Sequence, residues 1–466
     1  MSQFVESIES RRLFAATLPS GFSETLLPGT VNQPTSTVQL PDGRLLVSQK
    51  NGQLRVFKDG GLVGTPAMSL AVDTSGERGL QSVTIDPNFA SNRYIYVSYF
   101  RPNKGYGQVS RFTMDGDTVK SGSELVLIGL SPQTNPSHSS ASLQFGGDGK
   151  LYIAVGDNEE GANSQSFATL HGKLLRINPD GSIPRNNPYY NTLTSKYRAI
   201  YATGLRNPFT TAADPVGGAV FINDVGAKAF EEINQAKAGV NYGWPDAEGP
   251  SDNPAFTNPV YAYAPPAVGV GVSICGGAFY TGTAQQFPDS YKGKYFFGDY
   301  VQGFVQTLDP ATKTASPFAT GFGKVIDIDT APDGTLLVTT YDGRVHAIAY
   351  KKTTPPPPTG TASFSGYVIN DVNANGKWDS GEKGIAGRTV WIDLDNDNQL
   401  DDNEARTTTV DNGKFTFGGL AAGTYKFREL IPTGWSQTSP ANGFGLNATL
   451  TAGQVKSGAS FQVVKV

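Results

Sequence analysis

One phrase recurs along the chain and narrows what it can fold into: a turn of Pro, Asp or Gly, an apolar strand, then a further strand. It first reads Pro41-Asp42-Gly43-Arg44-Leu45-Leu46-Val47, followed by Gly52-Gln53-Leu54-Arg55-Val56-Phe57. It returns as Asp86-Pro87 leading into Tyr94-Ile95-Tyr96-Val97, and as Gly147-Asp148-Gly149-Lys150 leading into Leu151-Tyr152-Ile153-Ala154-Val155. Asp214-Pro215 precedes Ala219-Val220-Phe221-Ile222, and Lys292-Gly293-Lys294 precedes Tyr295-Phe296-Phe297. The sixth copy is Pro332-Asp333-Gly334-Thr335-Leu336-Leu337-Val338, followed by Gly343-Arg344-Val345-His346-Ala347-Ile348. Short apolar runs bounded by turn residues read as strands, and no long 3.6-residue period interrupts them. Six copies in roughly 330 residues average about 55 each, the spacing of four-stranded blades carrying long insertions. The expectation is an all-β chain whose residues 20–350 form a six-bladed β-propeller.

The prolines Pro355 to Pro358 mark a boundary, because such a run favours an extended polyproline II spacer. Residues 351–361 read as a Pro-rich linker and 362–466 as a second module. Residues 1–19 read as a tail or sorting segment. Ser10-Arg11-Arg12-Leu13-Phe14 is faintly like a twin-arginine signal and like short E-S-R-R-L leaders, but no apolar stretch follows it. A disordered tail is the open alternative there.

Composition removes several classes of function. Lys and Arg number 37 against 41 Asp and Glu and form no stripe, which excludes nucleic acid as the expected partner. No apolar window approaches the ~18 residues of a transmembrane helix. The single cysteine, Cys275, excludes an internal disulfide framework and any Cys-rich zinc module.

Only three histidines are present. His346 alternates with Val345 and Ala347 and reads as structural, and His171 precedes the strand-like Lys173-Leu174-Leu175-Arg176-Ile177. His138 lies in the polar segment Ser137-His138-Ser139-Ser140, just ahead of Ser142-Leu143-Gln144-Phe145. Loops between propeller strands line the mouth of the central channel, where ligands bind. An imidazole there suits a general base.

Six further motifs appear in fixed order: Gly76-Glu77-Arg78-Gly79-Leu80; His138 ahead of Phe145-Gly146-Gly147-Asp148-Gly149-Lys150; Gly172-Lys173-Leu174-Leu175-Arg176-Ile177-Asn178-Pro179-Asp180-Gly181; Gly204-Leu205-Arg206-Asn207-Pro208; Asp224-Val225-Gly226 through Glu231-Glu232-Ile233-Asn234; and Asn241-Tyr242-Gly243-Trp244-Pro245. Over about residues 20–350 this pattern resembles the glucose/sorbosone dehydrogenases, soluble quinoproteins using pyrroloquinoline quinone (PQQ) and Ca²⁺. The resemblance implies that His138 is the catalytic base and that Arg206 stands beside the quinone carbonyl, where a fixed guanidinium stabilises developing negative charge. It implies cofactor contacts from Glu77, Asn207 and Lys324. It also implies that the main-chain carbonyls of Gly226 and Ala227 hold a cofactor-bridging Ca²⁺, with Glu232 and Tyr242 at a second calcium. Arg206-Asn207 can equally be read as a hydrogen-bonded blade turn.

The chain departs from that family pattern where cations grip the quinone carboxylates. A lysine position falls at Val301, and an arginine pair falls near Lys324 and Ile326, leaving one cation. Ser137 precedes the base where an acid or amide would orient the imidazole.

The second module carries two spaced oxygen-ligand patterns. Asp371, Asn373, Asn375, Lys377 (through its carbonyl), Asp379 and Glu382 occupy positions 1, 3, 5, 7, 9 and 12 of a twelve-residue calcium loop, with Gly376 at the sharp turn. Asp393, Asp395, Asp397, Gln399, Asp401 and Glu404 repeat it, with Asn398 replacing the glycine. Their flanks are strand-like, so this part resembles the calcium-binding B-type repeat of bacterial surface adhesins, a Cna-B-like β-sandwich, over about 362–440. That resemblance implies a calcium-loaded stalk or spacer and, with it, an exported protein, periplasmic or at the cell surface.

The functional expectation is PQQ- and Ca²⁺-dependent oxidation of an aldose or related sugar at C1, with electrons passed to an external acceptor. The alternatives are a non-catalytic propeller binding glycans or partners and displayed on the adhesin-like module, or a calcium-dependent sugar-lactone hydrolase.

Overall fold

The structure is a computed structural model that describes residues 16–280, 287–350, 360–394, 398, 400, 404–441 and 444–466. The double arginine of the N-terminal segment and the four-proline run fall outside the described residues. So do Asp395, Asp397, Gln399 and Asp401. The chain divides into two compact units, Met1–Tyr350 and Lys351–Val466.

The first unit is a six-bladed β-propeller. Its innermost strands are Pro34–Gln39, Leu80–Ile85, Ala141–Phe145, Pro208–Ala213, Ile274–Phe279 and Val325–Thr330. Each packs on the next, and the sixth returns to the first. Every copy of the repeated turn joins an innermost strand to the second strand of its blade. The turns recur because the chain must reverse through a left-handed residue, which glycine adopts without a Cβ penalty: φ is +89° at Gly43, +69° at Gly149 and +86° at Gly334. The preceding aspartate closes the turn, as where Asp148 Oδ1 accepts from the Lys150 N–H at 3.0 Å and Asp333 Oδ1 from the Thr335 N–H at 2.9 Å.

The second strands, such as Leu45–Gln49, Leu151–Val155, Tyr295–Asp299 and Leu336–Thr340, are buried along their whole length. A neighbouring blade covers each face, so these strands read as continuous apolar runs rather than as alternating ones. The clusters between blades, among them Tyr96, Leu143, Ile153, Leu175 and Ile200, form the core.

The ring is closed by sequence-distant strands. Phe22–Leu26 pairs antiparallel with Val345–Tyr350 and completes blade 6. Phe22 sets its ring edge-on against Phe287, Phe318, Tyr350 and Tyr291, with centroids 4.7–5.5 Å away. Glu24 on the same strand accepts a hydrogen bond from His346 Nδ1, which gives that histidine a structural place.

The second unit is a sandwich of two four-stranded sheets, around Phe364, Phe415, Phe417, Phe427 and Phe461. The segment Asp371–Glu382 leaves the end of strand Ala362–Asn370, and Asp393–Glu404 leaves the end of Thr389–Ile392.

Because Phe22 anchors the closing strand, Phe22→Ala is expected to destabilise the propeller by about 2–3 kcal/mol, less than a fully buried Phe because its ring is partly exposed. Urea unfolding followed by tryptophan fluorescence measures this. A change below about 0.5 kcal/mol would show that the strand is held by its backbone pairing alone.

Candidate active site

Loops at one end of the blades surround a cavity of about 430 Å³, within the size range of small-molecule sites. Its lining includes Thr35, Lys50, Glu77, His138, Arg206, Asn207, Gly226, Cys275, Tyr300 and Tyr341. Four residues expected from sequence to work together, Glu77, His138, Arg206 and Asn207, thus share one cavity with Gly226.

His138 sits in the loop that precedes the innermost strand of blade 3, with φ +44°, a left-handed conformation unusual for a residue with a Cβ. Gly156 makes room for it, since a Cβ there would lie 2.4 Å from the His138 carbonyl oxygen. His138 Nδ1 is 2.7 Å from Asp157 Oδ1. The Asp157 carboxylate is almost fully buried and also accepts from the Glu159 N–H at 2.8 Å and from Trp244 Nε1–H at 2.8 Å. A carboxylate accepting on both oxygens fixes the imidazole proton on Nδ1 and leaves Nε2 as the free acceptor. The acid missing at Ser137 is therefore supplied by a residue across the loop. Hairpin register could have found it: Ala141 pairs with Val155, so residues just outside that pair on the two strands lie side by side.

Arg206 and Asn207 are both hydrogen-bonded turn and cavity wall. Their N–H groups donate to the Asp224 carboxylate at 2.9 and 2.7 Å. Asn207 Oδ1 accepts from Ser140 Oγ at 3.0 Å, and Arg206 Nη1 donates to the Val225 carbonyl at 2.9 Å. The guanidinium lies 5.4 Å from the Trp244 ring centroid, and its buried Nε has no partner among the described residues. Trp244 thus touches both the carboxylate that holds His138 and the Arg206 guanidinium. Burial raises the Glu77 carboxyl above its ordinary range, with the nearby His138 opposing that shift.

The loop after Gly226 is held by one side chain. Glu248 Oε1 accepts from the N–H groups of Ala227, Lys228, Ala229 and Phe230 at 2.7–3.3 Å, and these donors keep its carboxyl below the usual range. A Cβ on Gly226 would meet the Phe230 carbonyl oxygen at 1.9 Å, so the loop requires glycine. Sequence reasoning did not single out Glu248.

Other expected residues are placed elsewhere. Lys324 does not line the cavity; its Nζ lies 5.2 Å from the centroid of Tyr300, and that tyrosine takes the wall position. Ile326 lines the cavity, whereas Val301 is exposed. Glu232 and Tyr242 are not paired with each other. The Glu232 carboxylate accepts from Gly249 N–H at 2.5 Å and Asn234 Nδ2 at 2.9 Å, and the Tyr242 hydroxyl donates to the Gln235 carbonyl at 2.7 Å. Among the described residues no three His, Cys, Asp or Glu side chains converge on one metal position.

In the second unit, the side chains of the first twelve-residue loop turn toward one another. Asp371 accepts from the N–H groups of Asn375 and Gly376 at 3.1 and 2.7 Å, and Asp379 Oδ2 accepts from the amides of Asn373 and Asn375 at 2.9 and 2.7 Å. Glu382 bridges the N–H groups of Val372 and Asp379 at 3.0 and 2.9 Å. Gly376 has φ +73°, as the sharp turn needs. In the second loop Asn398 takes the same conformation at +67°, and Glu404 accepts from the Leu394 N–H at 2.8 Å, as Glu382 does from Val372. Asp393 differs from Asp371 by pairing with the Arg428 guanidinium.

Beneath the cavity, sharing Thr35 and Phe209 with it, the propeller channel is lined by Ser, Thr and Gln side chains and by Asp327 and Asp329. Burial raises both carboxyls, and the proximity of Asp329 raises Asp327 further.

A family model for glucose/sorbosone dehydrogenases matches residues 31–348, and a model for the SdrD B-like domain matches residues 362–460. The chain is 28% identical to the aldose sugar dehydrogenase YliI of Escherichia coli (strain K12) over 363 residues, spanning 71% of this chain and 92% of that protein. It is 29% identical to the quinoprotein glucose dehydrogenase B of Acinetobacter calcoaceticus over 297 residues, spanning 57% and 61% of the two. The crystal structure of the soluble aldose sugar dehydrogenase of Escherichia coli in its apo form superposes with a TM-score of 0.62 at 26% identity, covering 71% of this chain and 99% of that one.

The channel carboxyls give a pH prediction. A raised pKa means that the folded state holds protons that the unfolded chain releases, so stability falls as pH rises through the neutral range. Glu231, pushed up to about 7 by burial, acts in the same direction. The propeller's melting temperature is expected to drop between about pH 5 and about pH 8, and Asp327→Asn to flatten that slope. A slope unchanged in the variant, measured by calorimetry, would remove Asp327 as its source.

Proposed function

Because the chain belongs to the glucose/sorbosone dehydrogenase family, we propose that its propeller cavity binds PQQ and oxidises an aldose or related sugar at C1. The observation that carries this reading is the His138–Asp157 pair opening onto a cavity that also holds Arg206. The Nε of Arg206 and the head of Lys50, both without a partner among the described residues, suit an anionic cofactor with carboxylate and carbonyl oxygens. Gly226 and Ala227, in the loop fixed by Glu248, would offer main-chain oxygens to a bridging Ca²⁺, with Glu77 and Asn207 as polar contacts. When bound, the quinone supplies a two-electron acceptor for the C1 hydride, and Ca²⁺ supplies a Lewis acid that polarises it.

The protein's own groups handle the proton and the charge. His138 Nε2 removes the proton from the anomeric hydroxyl as the C1–H bond breaks, so the sugar loses a hydride and a proton and leaves as the lactone. Asp157 stabilises the imidazolium that forms and, held by Trp244, keeps the ring from rotating. Arg206, fixed by Val225 and Trp244, directs its positive charge at oxygen that gains negative charge. Electrons then leave to an external acceptor.

The converging side chains of Asp371, Asn373, Asn375, Asp379 and Glu382, with the Lys377 carbonyl, support Ca²⁺ binding in the second unit. The second loop, from Asp393 to Glu404, is proposed to bind in the same way. Loops of this kind in extracellular modules take Ca²⁺ at about 10⁻⁴–10⁻³ M, which fits a periplasmic or cell-surface location.

Two experiments test these readings. The purified protein, given PQQ and Ca²⁺, is expected to show bound-quinone absorbance and to reduce a dye with aldoses. His138→Ala should retain the quinone and lose about 10²–10⁴-fold in kcat, with a smaller loss in Asp157→Asn. Absence of quinone uptake at high micromolar PQQ would leave the glycan-binding alternative standing instead. For the second unit, EDTA is expected to lower its melting temperature, because a ligand bound only to the folded form stabilises it; a melting transition indifferent to chelation would contradict occupied loops.

A further inference from the structure

We infer that Lys50, in blade 1, is the cation that anchors a carboxylate of the quinone, in place of the cations absent at Val301 and Ile326. This rests on the dehydrogenase reading proposed above. Three tricarboxylate-binding positions expected in blades 5 and 6 hold Val301, Ile326 and Lys324. The first is exposed and uncharged, the second an apolar part of the wall, and the third lies over Tyr300 outside the lining. Of the remaining basic side chains near the cavity, Arg78 is engaged at 2.8 Å with Asp73, and Arg206 is already assigned, in the reading above, to the oxygen that gains negative charge rather than to a carboxylate. That leaves Lys50.

Its backbone is fixed while its head group is free. The Lys50 N–H donates to the Gln33 carbonyl at 3.0 Å. On the other side, Gly79 lacks the Cβ that would stand 2.4 Å from the Lys50 carbonyl oxygen and 3.0 Å from its Cγ. Gly79 thus admits the lysine stem along the Gly76-Glu77-Arg78-Gly79 loop and into the cavity wall. Nζ makes no hydrogen bond or ion pair with any described residue. A half-buried lysine whose head has no carboxylate partner among the described residues is a ready site for an anion. Tyr300 and Tyr341, 5.8 Å apart edge to face across the wall, offer aromatic surface for a planar ring system.

The test is equilibrium binding of PQQ to the full chain in Ca²⁺ buffer, followed by quinone absorbance, without any turnover. Lys50→Met keeps the stem and removes the charge, and is expected to weaken binding about 10- to 100-fold, the worth of a hydrogen bond to a charged group. Lys50→Arg is expected to stay within about threefold, and the salt dependence of affinity should flatten in Lys50→Met relative to the parent. Equal affinity in the parent and Lys50→Met, or weakening by Lys324→Met alone, overturns the inference while leaving the dehydrogenase reading intact. No PQQ uptake by the parent protein overturns both.

Discussion

The site depends on the closure of the propeller ring. Six innermost strands meet only if the sixth blade is completed, and the strand that completes it comes from Phe22–Leu26, some 320 residues before its partner Val345–Tyr350. Each blade buries apolar surface on both faces only when flanked by two others, so an open ring would expose two such faces at once. Closure also sets the radius at which the loops above the channel converge. His138 from blade 3's entry loop, Arg206 from the entry to blade 4 and Lys50 from blade 1 share a cavity for that reason.

Within the ring, the candidate base is positioned by contacts that cross blades. Asp157 belongs to blade 3 and Trp244 to the insertion of blade 4, and their hydrogen bond ties the imidazole to a neighbouring blade. The loop following Asp157 is secured in turn by Lys173, whose buried ammonium donates to the carbonyls of Asn163, Ser164 and His171 at 2.6–3.1 Å. Burial brings that lysine down to about 7, and three carbonyl acceptors offset part of the desolvation. A lysine inside a strand of five fully buried residues has a physical reason only in that loop.

Much of this was legible in the sequence because it rests on local rules. The Asp and Gly residues of the repeated phrase recur since every blade makes the same turn, and the left-handed turn at Gly376 in Asp371–Glu382 follows from the loop's own spacing. Residues brought together by pairing were not legible in the same way. Asp157 stands 19 positions from His138, and its role follows from the register of one hairpin and the absence of a Cβ at Gly156. Lys324 was expected at the cavity from the family resemblance, but its head lies over the Tyr300 ring and it is not part of the lining. Glu232 and Tyr242 come from successive motifs and were expected at one calcium, yet Glu232 lies on a blade-4 strand and Tyr242 packs in the cluster between blades 3 and 4.

The distribution of charge follows the same division of the chain. Residues 371–404 hold nine Asp and Glu against three Lys and Arg, a local −6 within a whole-chain net of −4, so the rest of the sequence is slightly basic. The acidic excess is concentrated in the two twelve-residue loops; in the first, Asp371–Glu382, Asp379 accepts from the Asn373 and Asn375 amides, hydrogen bonds that offset part of the self-repulsion of such a cluster. In the propeller cavity the lining cations, Lys50 and Arg206, face a single lining carboxyl, Glu77, which burial pushes toward its neutral form. Each unit therefore favours a ligand of opposite sign to its own excess, and the mildly acidic total describes neither of them.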